Sequence, residues 1–252
     1  MSGTERIALV TGASQGIGAA CARALLDADW SVAMAARSAD KLEAKIAEFG
    51  AAGAKAAAIP CDVTDPGSVD ALFAGIAARF GRLDFCFNNA GGNVPPGTPD
   101  EISFEDWRKV VSVNLDGAFL IASGAFKMMR GQTPQGGRIV NNGSISATTP
   151  RPGSAPYTAS KHAISGLTKS IALDGRPFDI ACGQIDIGNT ASDMTAKMLS
   201  GVPQADGSMK PEPVMDVAHV AASVVHMAGL PLDANVLSLT VMATKMPLVG
   251  RG

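Results

Sequence analysis

Ile7-Ala8-Leu9-Val10-Thr11-Gly12-Ala13-Ser14-Gln15-Gly16-Ile17-Gly18 is the stretch that decides the fold. Ile7 to Val10 is an unbroken apolar run, short enough for a strand buried on both faces of a parallel sheet. The glycines after it allow a tight turn whose backbone N–H groups can approach a pyrophosphate. Ile17 to Ala28 then reads as a helix, and its N-terminus offers partial positive charge to that anion. The spacing is Gly-x3-Gly-x-Gly rather than the GxGxxG of the general dinucleotide fingerprint. Taken alone it also fits a glycine turn without a ligand, and its place between the first strand and the first helix favours the anion reading.

The same alternation continues along the chain. Further short apolar runs lie at Ser31 to Ala35, Ala56 to Ile59, Leu83 to Phe87, Arg138 to Asn141, Ile180 to Ile185 and Val236 to Met242. Between them are helix-like stretches at Lys41 to Ala51, Val69 to Phe80 and Phe104 to Arg130. The last has helical spacing at Phe104, Trp107, Val111 and Leu115, continued through Ala118, Phe119 and Ala122. Repeated β-α-β order predicts an α/β fold, a doubly wound parallel sheet with helices on both faces. No composition shift marks a boundary, so residues 1–252 are expected to form a single domain for dinucleotide binding and catalysis. Gly91 to Pro99, Thr149 to Pro156 and Gly201 to Pro213 read as loops. The third follows the sixth strand, where an open α/β sheet presents its ligand edge. Residues 189–215 are therefore expected to be either a substrate lid or an ordinary surface loop.

Composition excludes several partners. Twenty-one basic and 23 acidic side chains give a net charge of −2, interspersed without runs. That balance argues against nucleic acid and against an anionic membrane surface. No N-terminal signal peptide is evident, and Ile7 to Val10 is far too short to cross a membrane. Cys21, Cys61, Cys86 and Cys182 form no CxxC motif and read as free thiols of a reducing cytoplasm. His162, His219 and His226 lack an accompanying carboxylate cluster, so no metal site is expected. His162 would point to another helix face than the lysine beside it.

At the end of the second strand the chain reads Ala35-Ala36-Arg37-Ser38, with no acid before Asp40. An acid here would hold a ribose 2′-hydroxyl, and an arginine accommodates a 2′-phosphate by two parallel hydrogen bonds. NADP(H) is therefore favoured over NAD(H); the alternative is that Arg37 caps a solvated edge. The single tyrosine, Tyr157, stands in Tyr157-Thr158-Ala159-Ser160-Lys161. On a helix, Tyr157 and Lys161 share one face. An ammonium there would lower the phenol's pKa toward a range useful for proton exchange with a carbonyl oxygen. A buried tyrosine with a surface lysine is the other reading of the pair.

These stretches together resemble the short-chain dehydrogenase/reductase family. The resemblance rests on Thr11 to Gly18, Cys61-Asp62-Val63, Asn88-Asn89-Ala90-Gly91, Asn114, Gly143-Ser144-Ile145-Ser146 and Tyr157 to Lys161. They stand in family order and spacing over about three quarters of the chain. The resemblance implies a Rossmann domain of seven parallel strands in the order 3-2-1-4-5-6-7. It implies hydride transfer between NADP(H) and a carbonyl or secondary alcohol. Its catalytic set would be Asn114, Ser144, Tyr157 and Lys161. Tyr157 would be the acid in reduction and the base in oxidation, and Ser144 would hydrogen-bond the substrate oxygen. Lys161 would tune Tyr157 and hold the nicotinamide ribose, and Asn114 would support a water-mediated proton path. The implied cofactor contacts are Gly12, Ser14, Gln15, Gly16, Ile17, Gly18, Arg37, Asp62, Val63, Asn89, Ala90 and Gly91, then Tyr157, Lys161, Ile187, Gly188, Thr190 and Ser192. Asn88 would tie the central strands together. A homotetramer is implied, with a homodimer as the alternative, in which the long helix and the Tyr157 helix pair with symmetry mates.

The chain departs from the family after the sixth strand. Ile187 replaces the usual proline before Gly188, and Ser192 replaces a threonine. Loss of proline loosens φ at that turn. Asp186 stands where small residues are usual; it is expected in a salt bridge or in solvent, or else as a ligand for a substrate hydroxyl or ammonium. Arg151 lies in the loop between Ser144 and Tyr157, as a solvated cation or as a site for a carboxylate or phosphate. Seven of the eleven methionines fall between Met194 and Met246, which suits core filling, an adaptable apolar pocket or a subunit interface. The Leu-Pro-x-x-Ala-Asn-Val stretch near Pro231 is similar to members acting on 3-hydroxy acids and small alcohols. A 3-oxoacyl thioester, a sugar or polyol, and a small hydroxy acid all stay open. Two other functions also stay open: a catalytically silent NADP(H)-binding sensor or scaffold, and epimerase chemistry through transient hydride transfer.

Overall fold

The computed structural model describes residues 5–191 and 200–249. Its main sheet contains β1 (Arg6–Thr11), β2 (Trp30–Ala36), β3 (Ala56–Pro60), β4 (Phe85–Asn88), β5 (Gly137–Asn142), β6 (Ile180–Ile187) and β9 (Ser238–Val241). They run parallel in the order β3-β2-β1-β4-β5-β6-β9. This is the seven-stranded doubly wound sheet expected. The last strand is the ninth in sequence because a small antiparallel pair, β7 (Val202–Pro203) with β8 (Met209–Lys210), precedes it. That hairpin falls where a loop was expected, and Gly207 turns it at φ +80°.

Each strand alternates between two apolar layers, as its pleat requires. Ala8, Val10, Val32, Phe85 and Phe87 face one layer, together with α1 (Gly16–Asp27), α2 (Ala39–Glu48) and α7 (Val217–Gly229). Leu9, Ala33, Cys86, Ile139 and Cys182 face the other, with α3 (Pro66–Phe80) and α5 (Ala118–Gly131). All four cysteines are buried and unpaired. Strand order reverses between β1 and β4, so the C-terminal ends of those two strands form the switch point where such sheets bind ligands.

The long helix is continuous over Phe104–Gly131 but not uniform. α4 (Phe104–Val111) passes through a π turn at Ser112–Gly117 before α5 begins. The wider turn resets the helical phase. The apolar stripe read from the sequence is not kept along the whole helix. Ala118 and Ala122 reach the core, but Phe104 is 77% exposed and Phe119 is 55% exposed. Val110, Ile121, Ala125 and Met129 complete the buried face. The helix has the length and mean hydropathy of a membrane span, yet this face lies on the sheet and on α6 (Ala155–Asp174).

At the far end, the buried Arg138 guanidinium donates to the carbonyls of Leu230, Pro231 and Ala234 and to Asn235 Oδ1. These bonds hold the chain after α7 so that β9 can pair with β6.

Candidate active site

Thr11 joins the two strand ends at the switch point. Its hydroxyl accepts hydrogen bonds from the N–H groups of Asn89 and Ala90, both at 2.9 Å. Asn89 Nδ2 donates to the Thr11 carbonyl at 2.8 Å, and Asn142 Nδ2 donates to Asn89 Oδ1 at 2.8 Å. Gly12 turns the chain at φ +66°. A side chain on Gly18 would meet the Gly12 carbonyl oxygen at 2.2 Å and Asn89 Nδ2 at 2.7 Å. The first turn of α1 is thus pressed against the strand ends with no room for a Cβ.

The N-terminal end of α1, like that of α6, has neither a side-chain cap nor an acid in its first turn. Ser38, Asp65, Ser103 and Asp216 cap α2, α3, α4 and α7 through their side chains. Gln15 provides no such bond to α1, and that helix has no acid in its first turn. Its N–H groups remain available to an anion. These features fit the pyrophosphate of a dinucleotide.

Arg37 lies beyond β2, exposed and without a hydrogen bond or ion pair of its own among the described residues. Asp62 accepts from Thr64 N at 2.9 Å and Thr64 Oγ1 at 2.7 Å, and these bonds hold its carboxyl below the usual carboxylate range. Val63 packs on Gly117 of the π turn, where a Cβ would come within 2.8 Å of it. Asn88 is buried and bonds Ala118 O and Asn141 Oδ1, tying β4 to β5 and to the long helix.

Asn114 sits in the π turn with its amide engaged by protein. It accepts from Gly92 N at 2.8 Å and donates to Gly92 O at 2.9 Å and to Ser160 Oγ at 3.2 Å. Its side chain fastens the segment after β4 to α6.

Ser144 follows β5, and its hydroxyl oxygen accepts from Ser146 N at 3.1 Å. That leaves its proton to be donated outward. Tyr157, in the first turn of α6, is half-buried and within hydrogen-bond reach of Ser144. One turn later Lys161 is 4% exposed and donates to the Asn142 carbonyl at 2.7 Å. Its ammonium lies 5.5 Å from the Tyr157 ring centre.

The electrostatics differ from the sequence expectation. Burial raises the Tyr157 pKa above its ordinary value; the Ser144 hydrogen bond and Arg151 oppose this, and Asp186 adds to it. Burial also brings Lys161 down to about 8, with Asp186 opposing. Burial, rather than the neighbouring lysine, is thus the leading influence on the phenol, and it favours the protonated form.

Asp186 is neither solvated nor in an ion pair among the described residues. It is 7% exposed, and Oδ1 accepts from Ser144 N at 2.9 Å and Gln184 Nε2 at 2.6 Å. Arg151 is likewise neither a solvated cation nor a vacant anion site. It makes a two-pronged ion pair with Glu212 at 3.0 and 2.7 Å and also donates to Asn189 Oδ1. Asn189 Nδ2 and Gln204 Nε2 also donate to Glu212, which is 2% exposed. Burial pulls the Glu212 carboxyl up, but hydrogen bonds from Arg151, Asn189 and Gln204 bring it down to about 2.

Ile187 does not loosen the turn as expected. It pairs with Val241, and Gly188 N donates to the Val241 carbonyl at 2.8 Å, so β6 runs on where a proline would have interrupted it. Gly188 lies so close to Met242 that a Cβ would approach it at 2.5 Å. Thr190 is buried, and its hydroxyl donates to Gly188 O. Ser192 and part of the expected lid lie outside the described residues. Residues 200–215 belong to the hairpin and the strap bearing Glu212.

Sequence reading missed Asn142, Asn189, Gln204 and Glu212. Only Asn142 had a signal, an asparagine pair at the end of a strand otherwise buried. His162 bonds Thr158 O on the exposed side of α6, and His219 and His226 are exposed on α7.

Residues 6–202 match the profile of the short chain dehydrogenase family. A 3beta-hydroxysteroid dehydrogenase from Mediterraneibacter gnavus is 37% identical over 198 residues, covering 79% of this chain and 71% of the relative. A single-residue variant of the actinorhodin polyketide ketoreductase, solved with NADPH, superposes with a TM-score of 0.85 at 29% identity, covering 94% of this chain and 95% of that one. The 3-ketoacyl-(acyl-carrier-protein) reductase of Brucella melitensis, solved with NADH, shares the fold with a TM-score of 0.83 at 24% identity, covering 95% and 98%.

Proposed function

Because the chain belongs to the short-chain dehydrogenase/reductase family, we propose that Tyr157 moves the proton in a hydride transfer between NADP(H) and a carbonyl or secondary alcohol. The observation that carries this reading is the meeting of Ser144, Tyr157 and Lys161 above the ends of β5 and β6. Bound nicotinamide supplies or accepts the hydride. In reduction, the Ser144 hydroxyl, oriented by accepting from Ser146 N–H, donates to the substrate oxygen. The Tyr157 phenol, protonated at rest, gives its proton to the same oxygen as negative charge develops there. Lys161, held by the Asn142 carbonyl, supplies positive charge beside the phenolate left behind. In oxidation the phenolate takes the proton back. Asn114 holds the Gly92 segment against α6 and would support the path by which Lys161 is reprotonated.

The glycine turn with Ser14, Gln15, Gly16 and Ile17 binds the pyrophosphate; Asp62, Val63, Asn89, Ala90 and Gly91 line the adenosine side. Gly188 and Thr190, with Ile187 and Ser192 beside them, hold the carboxamide end. Arg37 receives a 2′-phosphate, supported by its exposure and by the absence of an acid at the end of β2. We also read the chain as one catalytic domain that assembles as a homotetramer; exposed Phe119 and the groove it forms with Phe126, Leu167 and Ile171 support a subunit contact. A silent sensor would have no need of both Tyr157 and Lys161, and nothing observed favours one.

The test is titration with NADPH and NADH, alongside a panel of ketones and alcohols followed by nicotinamide absorbance. NADPH should bind more tightly, and Arg37→Ala should weaken it about tenfold or more, as for loss of a charged hydrogen bond. Equal affinities in the unmutated protein would contradict the cofactor assignment.

A further inference from the structure

Asp186 has no part in the chemistry just described, yet a buried carboxylate without a bonded cation is costly. Its surroundings explain why it is there. The oxygen that accepts from Ser144 N–H also accepts from Gln184 Nε2. Gln184 in turn donates to Ser165 Oγ at 3.1 Å and accepts from Thr168 Oγ1 at 3.2 Å, both on α6. Asn141 Nδ2 donates to the same Thr168 hydroxyl at 3.0 Å. The second oxygen faces Ser238 Oγ of β9 at 3.4 Å. Asp186 thus ends a buried polar chain linking the helix that carries Tyr157 and Lys161 to the main chain of Ser144. Gly143 is part of the same fit, since a Cβ there would lie 2.1 Å from Asp186 Oδ1.

We propose that Asp186 is the positioning residue of this centre: it fixes Ser144 by its main-chain N–H and buries a negative charge in the polar chain that ties Ser144 to the helix carrying Tyr157 and Lys161. The proposal rests on the roles given to those residues above. The titratable groups that feel its charge are Tyr157 and Lys161 from α6, and Arg151 from the preceding loop acts on Tyr157 in the opposite sense; Gln184 on β6 and Ser238 on β9 face Asp186 as neutral dipoles. Asp186 favours the protonated form of both Tyr157 and Lys161. Removing its charge must therefore make both lose their protons at lower pH.

Because Tyr157 is the only tyrosine, the near-ultraviolet absorbance of tyrosinate reports this one group, with neither cofactor nor substrate present. Asp186→Asn keeps the size of the side chain and an oxygen for Ser144 and Gln184, so it removes the charge alone. Its tyrosinate midpoint should fall below that of the unmutated protein. The pH profile of turnover should move the same way. Asp186→Ser removes the bond as well, so it should show the same titration shift and lose about tenfold or more in kcat through misplacement of Ser144. It also serves as the readout if the asparagine variant does not fold. Tyrosinate midpoints equal to that of the unmutated protein would overturn the proposal. Failure of the underlying assignment looks different: Tyr157→Phe would then turn over normally, whatever the titration gives.

Discussion

Over β1 and β2 the cleft is built from main chain: a glycine turn at Gly12, an uncapped helix end at Gln15, and Asn89 filling the space a Cβ on Gly18 would take. Over β5 and β6 it is built from side chains. There Asn141, Thr168, Gln184, Asp186 and Ser144 form one hydrogen-bonded series, and Arg151, Glu212, Asn189 and Gln204 form another. The two ends fail in different ways when altered. A main-chain cradle is lost by adding atoms, whereas a buried side-chain network is lost by removing one member and stranding the rest.

The largest effect on stability should come from the network end. Arg151→Ala removes the two-pronged ion pair from a buried carboxylate and should cost about 2 kcal/mol or more, read by denaturant unfolding. A loss below about 1 kcal/mol would show that the pair behaves as a surface contact. Acid should probe the same pair. The Glu212 carboxyl sits near 2 in the folded chain against an ordinary 4.5. Its contribution is full above the ordinary value and disappears as pH falls through that window toward 2. Arg151→Ala should therefore flatten the fall in stability over that range. The main-chain end should respond more mildly. Gly18→Ala drives a methyl into the Gly12 carbonyl and Asn89, and should cost about 1–3 kcal/mol in stability while also weakening NADPH binding. If the alanine variant binds NADPH like the unmutated protein, the turn is not the cradle described.

The same contrast explains how much could be read from the sequence. The glycine turn, the alternation of strands with helices and the Tyr157–Lys161 pair are local patterns, set by φ, by apolar periodicity and by helical spacing, and a sequence displays all three, whereas the strand order came only from the family resemblance. The long helix was misread in part because a π turn at Ser112–Gly117 shifts its phase toward Phe119, a turn no local residue announces, and because Phe104 at its start faces outward before that turn. Asp186 and Arg151 were misread because their partners lie far along the chain. Arg151 meets Glu212 across 61 positions, and Asp186 meets Ser144 across 42. Only tertiary contact decides whether such a charge is solvated, paired or held by dipoles. The raised Tyr157 pKa belongs to the same class, since burial sets it more than the neighbouring lysine does.

The central claim is that Tyr157 protonates the substrate oxygen while hydride passes from nicotinamide to the carbonyl carbon. It is tested most directly with NADPH deuterated at the transferred position and a ketone drawn from the panel, with the product analysed by mass spectrometry. The unmutated protein should place deuterium on the carbinol carbon. Tyr157→Phe should bind NADPH comparably but form labelled product about 10²- to 10⁴-fold more slowly. An unlabelled alcohol, or labelled product formed at an undiminished rate by the phenylalanine variant, would contradict the account.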